Sequence, residues 1–242
     1  MQENKEDMPL ENMQKIIEEI TVYMANQMKR EQQQKVRNYK SLNKSAKKGQ
    51  ILFTGSSLME QFPICELAQN LQLDKLVYNR GIGGTRTEDF LREIDTVLLD
   101  LAPSKVFINI GTNDMSKHPY GEKWMDCLFK NYEKILSILK KELPETNVYV
   151  MAYYPVNDVY VKENPGAANM LEVRTQENLS IVNQKLEKLA QKMGYHYIDV
   201  NENLTDENGK LKQEYTIEGV HMYADAYRII FENLKPYLVN NP

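Results

Sequence analysis

The sequence predicts an α/β fold: a three-layer α/β/α sandwich on a five-stranded parallel sheet, with helices on both faces. Three observations carry that reading. Five short apolar runs, near residues 51–54, 75–79, 106–110, 148–152 and 196–200, alternate with stretches of helical period. The first of them, from Ile51, is a short apolar run of the kind that forms a buried strand. Finally, 242 residues with 42% hydrophobic content suffice for one large domain, and no Pro/Gly/Ser-rich linker or internal repeat divides the chain.

From about Pro9 to Tyr39, Met13, Ile16, Ile17, Ile20, Met24 and Met28 recur at three- and four-residue steps, the mark of an amphipathic helix. This sets residues 1–48 apart as an N-terminal helical extension and 49–242 as the main domain. The apolar stripe has two destinations, the domain itself or a second copy in a homodimer. The run Ile51 to Thr54 reads as the first strand, Gly55 permits a sharp turn, and a helix starts near Ser57 and is interrupted at Pro63. After the second strand, Gly81 to Arg86 is a glycine-rich turn, and Thr87 begins a helix running to about Asp100.

Strand three, Val106 to Ile110, stops at Gly111-Thr112-Asn113-Asp114, and Trp124, Cys127, Leu128, Ile135 and Leu139 mark the next helix. Beyond Pro144 come strand four and a long irregular stretch, Tyr153 to Leu171, of the kind that forms binding loops or lids. Tyr153, Tyr154 and Tyr160 either line a pocket or pack this loop on the core. A helical stripe from Leu179 to Met193 ends at Gly194, strand five follows, and a last helix spans about Tyr223 to Leu238.

Composition excludes several functions. A net charge of -4 argues against a nucleic-acid surface, and the basic group Lys44, Lys47, Lys48 reads as a solvated loop. Cys65 and Cys127, far apart in apolar helical contexts, read as free buried thiols, and no Cys/His cluster suggests a metal. The acidic and polar start is unlike a secretory signal, and no segment approaches the roughly 18 apolar residues of a membrane span. A cytoplasmic protein without cofactor, metal, nucleic-acid partner or stable membrane insertion is expected.

Ligand crevices in such sheets lie beyond the carboxyl ends of the strands, and the loops at Gly55, Gly81, Gly111 and Tyr153 all leave those ends. They should share one surface. Ser57 would lie at a helix start, where unpaired amides favour negative charge, and its alternative is a helix cap. Gly84 sits in a turn whose N–H can face the crevice, and Asn113 offers an amide donor or serves as a turn residue. His221 has a carboxylate, Glu218, three residues before it. Acyl transfer needs a hydroxyl nucleophile, an imidazole base, an acid to orient it and donors for the oxyanion. His118 in a loop and His196 in a strand stand outside this set. Asp114 reads as a brace for its loop, while Arg86 and Arg174 are either ordinary exposed arginines or contacts for an anionic substrate.

Thr54-Gly55-Ser56-Ser57, Asn79-Arg80-Gly81-Ile82-Gly83-Gly84, Gly111-Thr112-Asn113-Asp114 and Glu218-Gly219-Val220-His221 resemble, in order, the four sequence blocks of the SGNH/GDSL hydrolases. The resemblance runs from about Gln50 to Leu238 and is nearest to the flavodoxin-like members akin to platelet-activating-factor acetylhydrolase catalytic subunits. It implies Ser57 as nucleophile, His221 as base, and the amides of Ser57 and Gly84 with the Asn113 side chain as the oxyanion hole. Two positions depart from the family pattern: Ser56 stands where aspartate is usual, and Glu218 replaces the aspartate that normally precedes the histidine. A side chain one methylene longer completes a triad only if its loop stands further off. Otherwise His221 leans on a backbone carbonyl and a dyad remains.

The resemblance implies a serine esterase acting on a small-molecule ester, with a small acyl group such as acetyl on a carbohydrate or lipid. A lysophospholipase or thioesterase of the same fold is the near alternative. A non-catalytic ligand-binding module and an RNA-binding relative are the more distant ones. Gly55-Ser56-Ser57-Leu58-Met59 lacks the second glycine of the α/β-hydrolase elbow.

Overall fold

Ile51–Gly55 (β1), Val77–Asn79 (β2), Lys105–Asn109 (β3), Asn147–Met151 (β4) and His196–Ile198 (β5) form one sheet in the order β2-β1-β3-β4-β5. Every pairing is parallel. The computed structural model describes residues 10–117, 119, 121–159 and 171–239. Its helices are α1 (Leu10–Asn43), the single turns α2 (Ser57–Glu60) and α3 (Ile64–Leu67), α4 (Thr87–Arg92), α5 (Ile94–Val97), α6 (Trp124–Glu142), α7 (Gln176–Met193) and α8 (Ala224–Val239).

Continuous apolar strands arise because alternate residues enter two separate cores. On one face Leu52, Val106, Ile108, Val148 and Val150 pack with Leu128, Leu136, Val182 and Leu186 of α6 and α7. On the other, Ile51, Phe53, Phe107, Tyr149 and Met151 meet Met59 of α2 and Ile230 and Leu234 of α8. Paired registers place a ladder of rings on this second face: Phe53 on Phe107 at 4.6 Å, Phe107 on Tyr149 at 4.8 Å, and Tyr149 on His196 at 4.9 Å. His196 thus ends a stack at the exposed edge strand, away from the carboxyl-end loops.

Boundaries differ from the sequence reading where side chains intervene. Strand five stops at Ile198 because Asp199 Oδ1 accepts the Asn201 amide at 2.9 Å, a turn that replaces the ladder. The helix expected from Thr87 to Asp100 is broken at Glu93 into α4 and α5, and the segment ends where Ala102, preceding Pro103, turns left-handed at φ 39°. The two cysteines are free, but neither is buried: Cys65 is exposed and Cys127 half-buried, because Ile64 and Leu128 beside them take the inward positions. Tyr153 and Tyr154 pack in the core, with the Tyr153 hydroxyl donating to Ile110 O at 2.6 Å. His118, Tyr160 and the loop residues 160–170 lie outside the described residues.

Helix α1 extends to Asn43, and its C-terminal half is tied to the domain. Asn43 Nδ2 donates to Thr96 O at 2.8 Å, Arg80 Nε donates to Asn43 Oδ1 at 3.1 Å, and Tyr39 OH donates to Gly81 O at 2.9 Å. The stripe Met13, Ile16, Ile17, Ile20 and Met24 is exposed on the chain, so it is not packed on the domain. No helix among the described residues is long and apolar enough to cross a membrane.

Where β1 ends, the backbone leaves no room for a side chain. A Cβ on Gly55, whose φ is +155°, would lie 1.9 Å from Asn109 O of β3. Replacing Gly55 with alanine should therefore cost at least about 2 kcal/mol of unfolding free energy in urea denaturation, combining the unfavourable φ with forced separation of the central strands.

Candidate active site

Ser57 opens α2 directly after the Gly55 approach, and two backbone bonds hold this turn against its neighbours: Ser56 N to Asn109 O at 3.3 Å and Ile82 N to Gly55 O at 3.0 Å. Asn79, at the end of β2, completes the brace. Its Nδ2 donates to Met59 O at 2.6 Å, and its Oδ1 accepts the Gly81 amide at 2.8 Å. The asparagine of the glycine-rich block therefore links that turn to the helix carrying Ser57.

His221 arrives on a loop just before α8. Its Nε2 lies 2.9 Å from Ser57 Oγ, and its Nδ1 lies 2.6 Å from Glu218 Oε1. The same Glu218 oxygen accepts the His221 backbone amide at 2.9 Å. A tight turn allows the longer acid to reach back. Gly219 has φ +101°, its amide donates to Thr216 Oγ1 at 2.8 Å, and a Cβ there would lie 2.2 Å from Asn157 O. Asn157 N in turn donates to Gly219 O at 2.8 Å, docking the loop after β4 on the histidine loop. Burial alone would raise the Glu218 carboxyl, but hydrogen bonds from the His221 ring and amide, and from the Val220 amide, outweigh it and hold the group below its ordinary range.

The oxyanion candidates border the same spot. Among the described residues neither the Ser57 nor the Gly84 amide donates to any protein acceptor. Asn113 lies in the short turn after β3. Its Nδ2 donates to Thr85 O at 2.9 Å, next to Gly84, and its Oδ1 accepts Arg174 Nη2 at 3.3 Å. The structure thus brings Ser57, His221 and Glu218 into one hydrogen-bonded series and sets Gly84 and Asn113 side by side.

Other residues support the site, and three of them, Glu60, Lys35 and Gln32, carried no signal in the sequence. Glu60, one turn after Ser57, accepts the Gly83 amide on Oε2 and Lys35 of α1 on Oε1. Gln32 Nε2 of α1 donates to Gly83 O at 2.8 Å. Arg174 is buried rather than exposed, donates to Thr112 O at 2.7 Å, and is lowered to about 10 by that burial. Asp114 is the loop brace expected from the sequence: it accepts the Thr87 amide at 2.9 Å and the Thr87 hydroxyl. Among the described residues no group of three or more His, Cys, Asp and Glu is placed to hold a metal.

A cavity of about 1050 Å³ opens between α1 and the α4–α5 segment, reaching Gly55, Gly84, Thr85 and Asn113. Ser57 and His221 are not in its lining, so it adjoins Gly84 and Asn113 rather than the Ser57–His221 bond.

A three-layer α/β/α chain with this array on the carboxyl side of its sheet falls in the class of SGNH-type hydrolases. The chain belongs to the GDSL-like lipase/acylhydrolase family, whose model matches residues 59–229. The matched segment starts two positions past Ser57 and includes Gly84, Asn113 and His221. A solved structure of a Streptococcus pneumonia protein, described as a platelet activating factor, is 31% identical, with a TM-score of 0.79 over 90% of this chain and 98% of that one. An acylhydrolase structure from Bacteroides fragilis is 20% identical, with a TM-score of 0.68 over 84% of this chain and 94% of that one. An acetylxylan esterase from Geobacillus stearothermophilus is 13% identical, with a TM-score of 0.60 over 81% of this chain and 96% of that one. The last two likenesses establish the fold alone. No curated protein sequence matches the chain.

Burial pushes the Asp114 carboxyl up to about 6, against the lowering effect of its Thr87 donors. The folded state therefore holds this proton more tightly than the unfolded chain, a contribution to stability present at low pH and lost as pH rises through about 6. Unfolding free energy measured from pH 4 to 7 should show this component, on the order of 2 to 3 kcal/mol, in the wild type and lack it in Asp114→Asn.

Proposed function

We propose that the chain is a cofactor-independent serine esterase that cleaves carboxylic esters through an acyl-enzyme. The observation that carries this reading is the series Glu218 Oε1–His221 Nδ1 at 2.6 Å and His221 Nε2–Ser57 Oγ at 2.9 Å. With Nδ1–H donated to the carboxylate, Nε2 is free to take the Ser57 proton as Oγ attacks the ester carbonyl. The amides of Ser57 and Gly84 and Asn113 Nδ2 then receive the oxyanion. For Asn113 this means exchanging the Thr85 carbonyl for the substrate oxygen. Collapse expels the alcohol, which takes the proton from His221. A water deprotonated by the same imidazole next attacks the acyl carbon, and release of the acid restores Ser57.

Glu218 acts as the third member of a triad in this scheme, since its carboxylate is ionised and in contact with the ring. The acyl group is read as small, as in the acetyl ester named for the Geobacillus esterase. A second reading, a longer acyl chain as in a lysophospholipase, has one observation in its favour: the cavity presents Val36, Ile82, Phe90, Val97 and Met115 beside Gly84. A series of p-nitrophenyl esters from acetate to octanoate separates the two by the chain length at which kcat/KM peaks.

Ser57→Ala should lower kcat on the preferred ester by on the order of a thousandfold or more and abolish labelling by a fluorophosphonate. Full turnover in that variant, or label on another residue, would defeat the mechanism. Glu218→Gln should cost between about a hundredfold and ten-thousandfold, whereas undiminished activity would reduce the triad to a dyad. Asn113→Ala should cost about a hundredfold to a thousandfold, mainly in kcat.

A further inference from the structure

The cavity beside the oxyanion donors is cationic, although the chain carries a net charge of -4. Lys29, Arg37, Lys40, Arg86, Arg92 and Arg174 line it, against two acids, Asp89 and Glu93. Both acids are already engaged: Arg92 Nη1 meets Asp89 Oδ1 at 2.9 Å and Lys40 Nζ meets Glu93 Oε2 at 3.2 Å. Lys29, Arg37 and Arg174 have no carboxylate within ion-pair distance among the described residues. Arg174 is buried directly behind Asn113, with its Nε unpartnered and its Nη2 on Asn113 Oδ1. Arg174 feels the carboxylates of Glu218 and Asp114 at longer range, but six cations against two acids leave the lining with an excess of positive charge, which raises the local concentration of anions.

Three of these cations, Lys29, Arg37 and Lys40, come from α1, which precedes the residues that match the family model. Met28 and Gln32 of the same helix pack on Gly84 and Gly83, so α1 forms a wall of the cavity, and its exposed Lys29, Arg37 and Lys40 are part of that lining. Resting on the esterase reading above, we infer that the preferred substrate is an anionic ester, carrying a carboxylate or phosphate group that α1 and Arg174 hold in this cavity. The group belongs either to the acyl part or to the alcohol, and matched substrates distinguish the two.

The test compares kcat/KM for p-nitrophenyl hemiglutarate with that for p-nitrophenyl valerate, and for acetylglycerol phosphate with that for acetylglycerol. In one of the pairs the anionic member should be favoured on the order of tenfold at low salt, with the preference shrinking as NaCl is raised. Lys29→Gln/Arg37→Gln should lower that ratio severalfold, with the change carried by KM. Titration of Ser57→Ala protein with glutarate and with glycerol phosphate reads binding without turnover, and one of them should bind more weakly once the double substitution is added. Equal or lower kcat/KM for the anionic member of both pairs, or a ratio and affinity indifferent to the double substitution, would overturn the inference. Hydrolysis of the neutral esters with no anionic preference leaves the esterase reading standing. Anion binding by a protein that hydrolyses no ester defeats that reading instead.

Discussion

The close approach of β1 and β3 at Gly55 and Asn109 is the constraint on which the site depends. With no Cβ between them, the backbone turns within contact of the neighbouring strand and starts α2 over the end of the sheet. Ser57 and Asn113 then issue from adjacent strands, each a few residues past the same paired position. The relative placement of Ser57 and Asn113, the proposed nucleophile and oxyanion donor, is thus set by two neighbouring strands whose residues are all buried. His221 comes from much further along the chain. The loop that carries it leads into α8, whose Tyr227 hydroxyl donates to Leu58 O at 2.9 Å, one residue past Ser57.

The fold was legible because apolar runs and helical stripes obey simple periods, and the five strands and their parallel order of connection follow from them. Ser57, Gly84, Asn113, Glu218 and His221 were legible as candidates, since each sits in a short sequence block, and the structure joins Ser57, His221 and Glu218 by hydrogen bonds. Roles for Asn79, Glu60 and Asn157 were not. Their bonds run between segments brought together only by folding, and an isolated polar residue has no period to betray it. Glu218 illustrates the limit: the sequence shows a carboxylate three residues from the histidine. Whether it reaches depends on the left-handed Gly219 and the Asn157 carbonyl against it. The Cys65 thiol shows the opposite error, where an apolar neighbourhood suggested burial that a one-turn helix does not provide.

Helix α1 joins two environments in one element. Its first half carries an uncovered apolar stripe, while its second half is fastened to the glycine-rich turn through Gln32, Tyr39 and the Lys35–Glu60 pair. The fastening matters chemically because it acts on Gly81 and Gly83, the residues flanking the turn that presents the Gly84 amide. Helix α1 therefore contributes both to a wall of the cavity and to holding the turn that carries Gly84, the proposed oxyanion donor.

Behind Asn113 the protein places two buried titratable groups, Asp114 and Arg174, each of which costs desolvation energy. They do not form an ion pair with each other. Instead Asp114 grips the start of α4 through Thr87, and Arg174 grips the Thr112 carbonyl and the Asn113 side-chain oxygen. With Arg174 on Oδ1 and the Thr85 carbonyl on Nδ2, both ends of the Asn113 amide are held, which fixes its orientation in the way the proposed oxyanion role requires. The desolvation cost of these groups is offset by the hydrogen bonds they make to the turn after β3. Stability and the placement of Asn113, the proposed oxyanion donor, are therefore coupled at this corner, because the same bonds serve both.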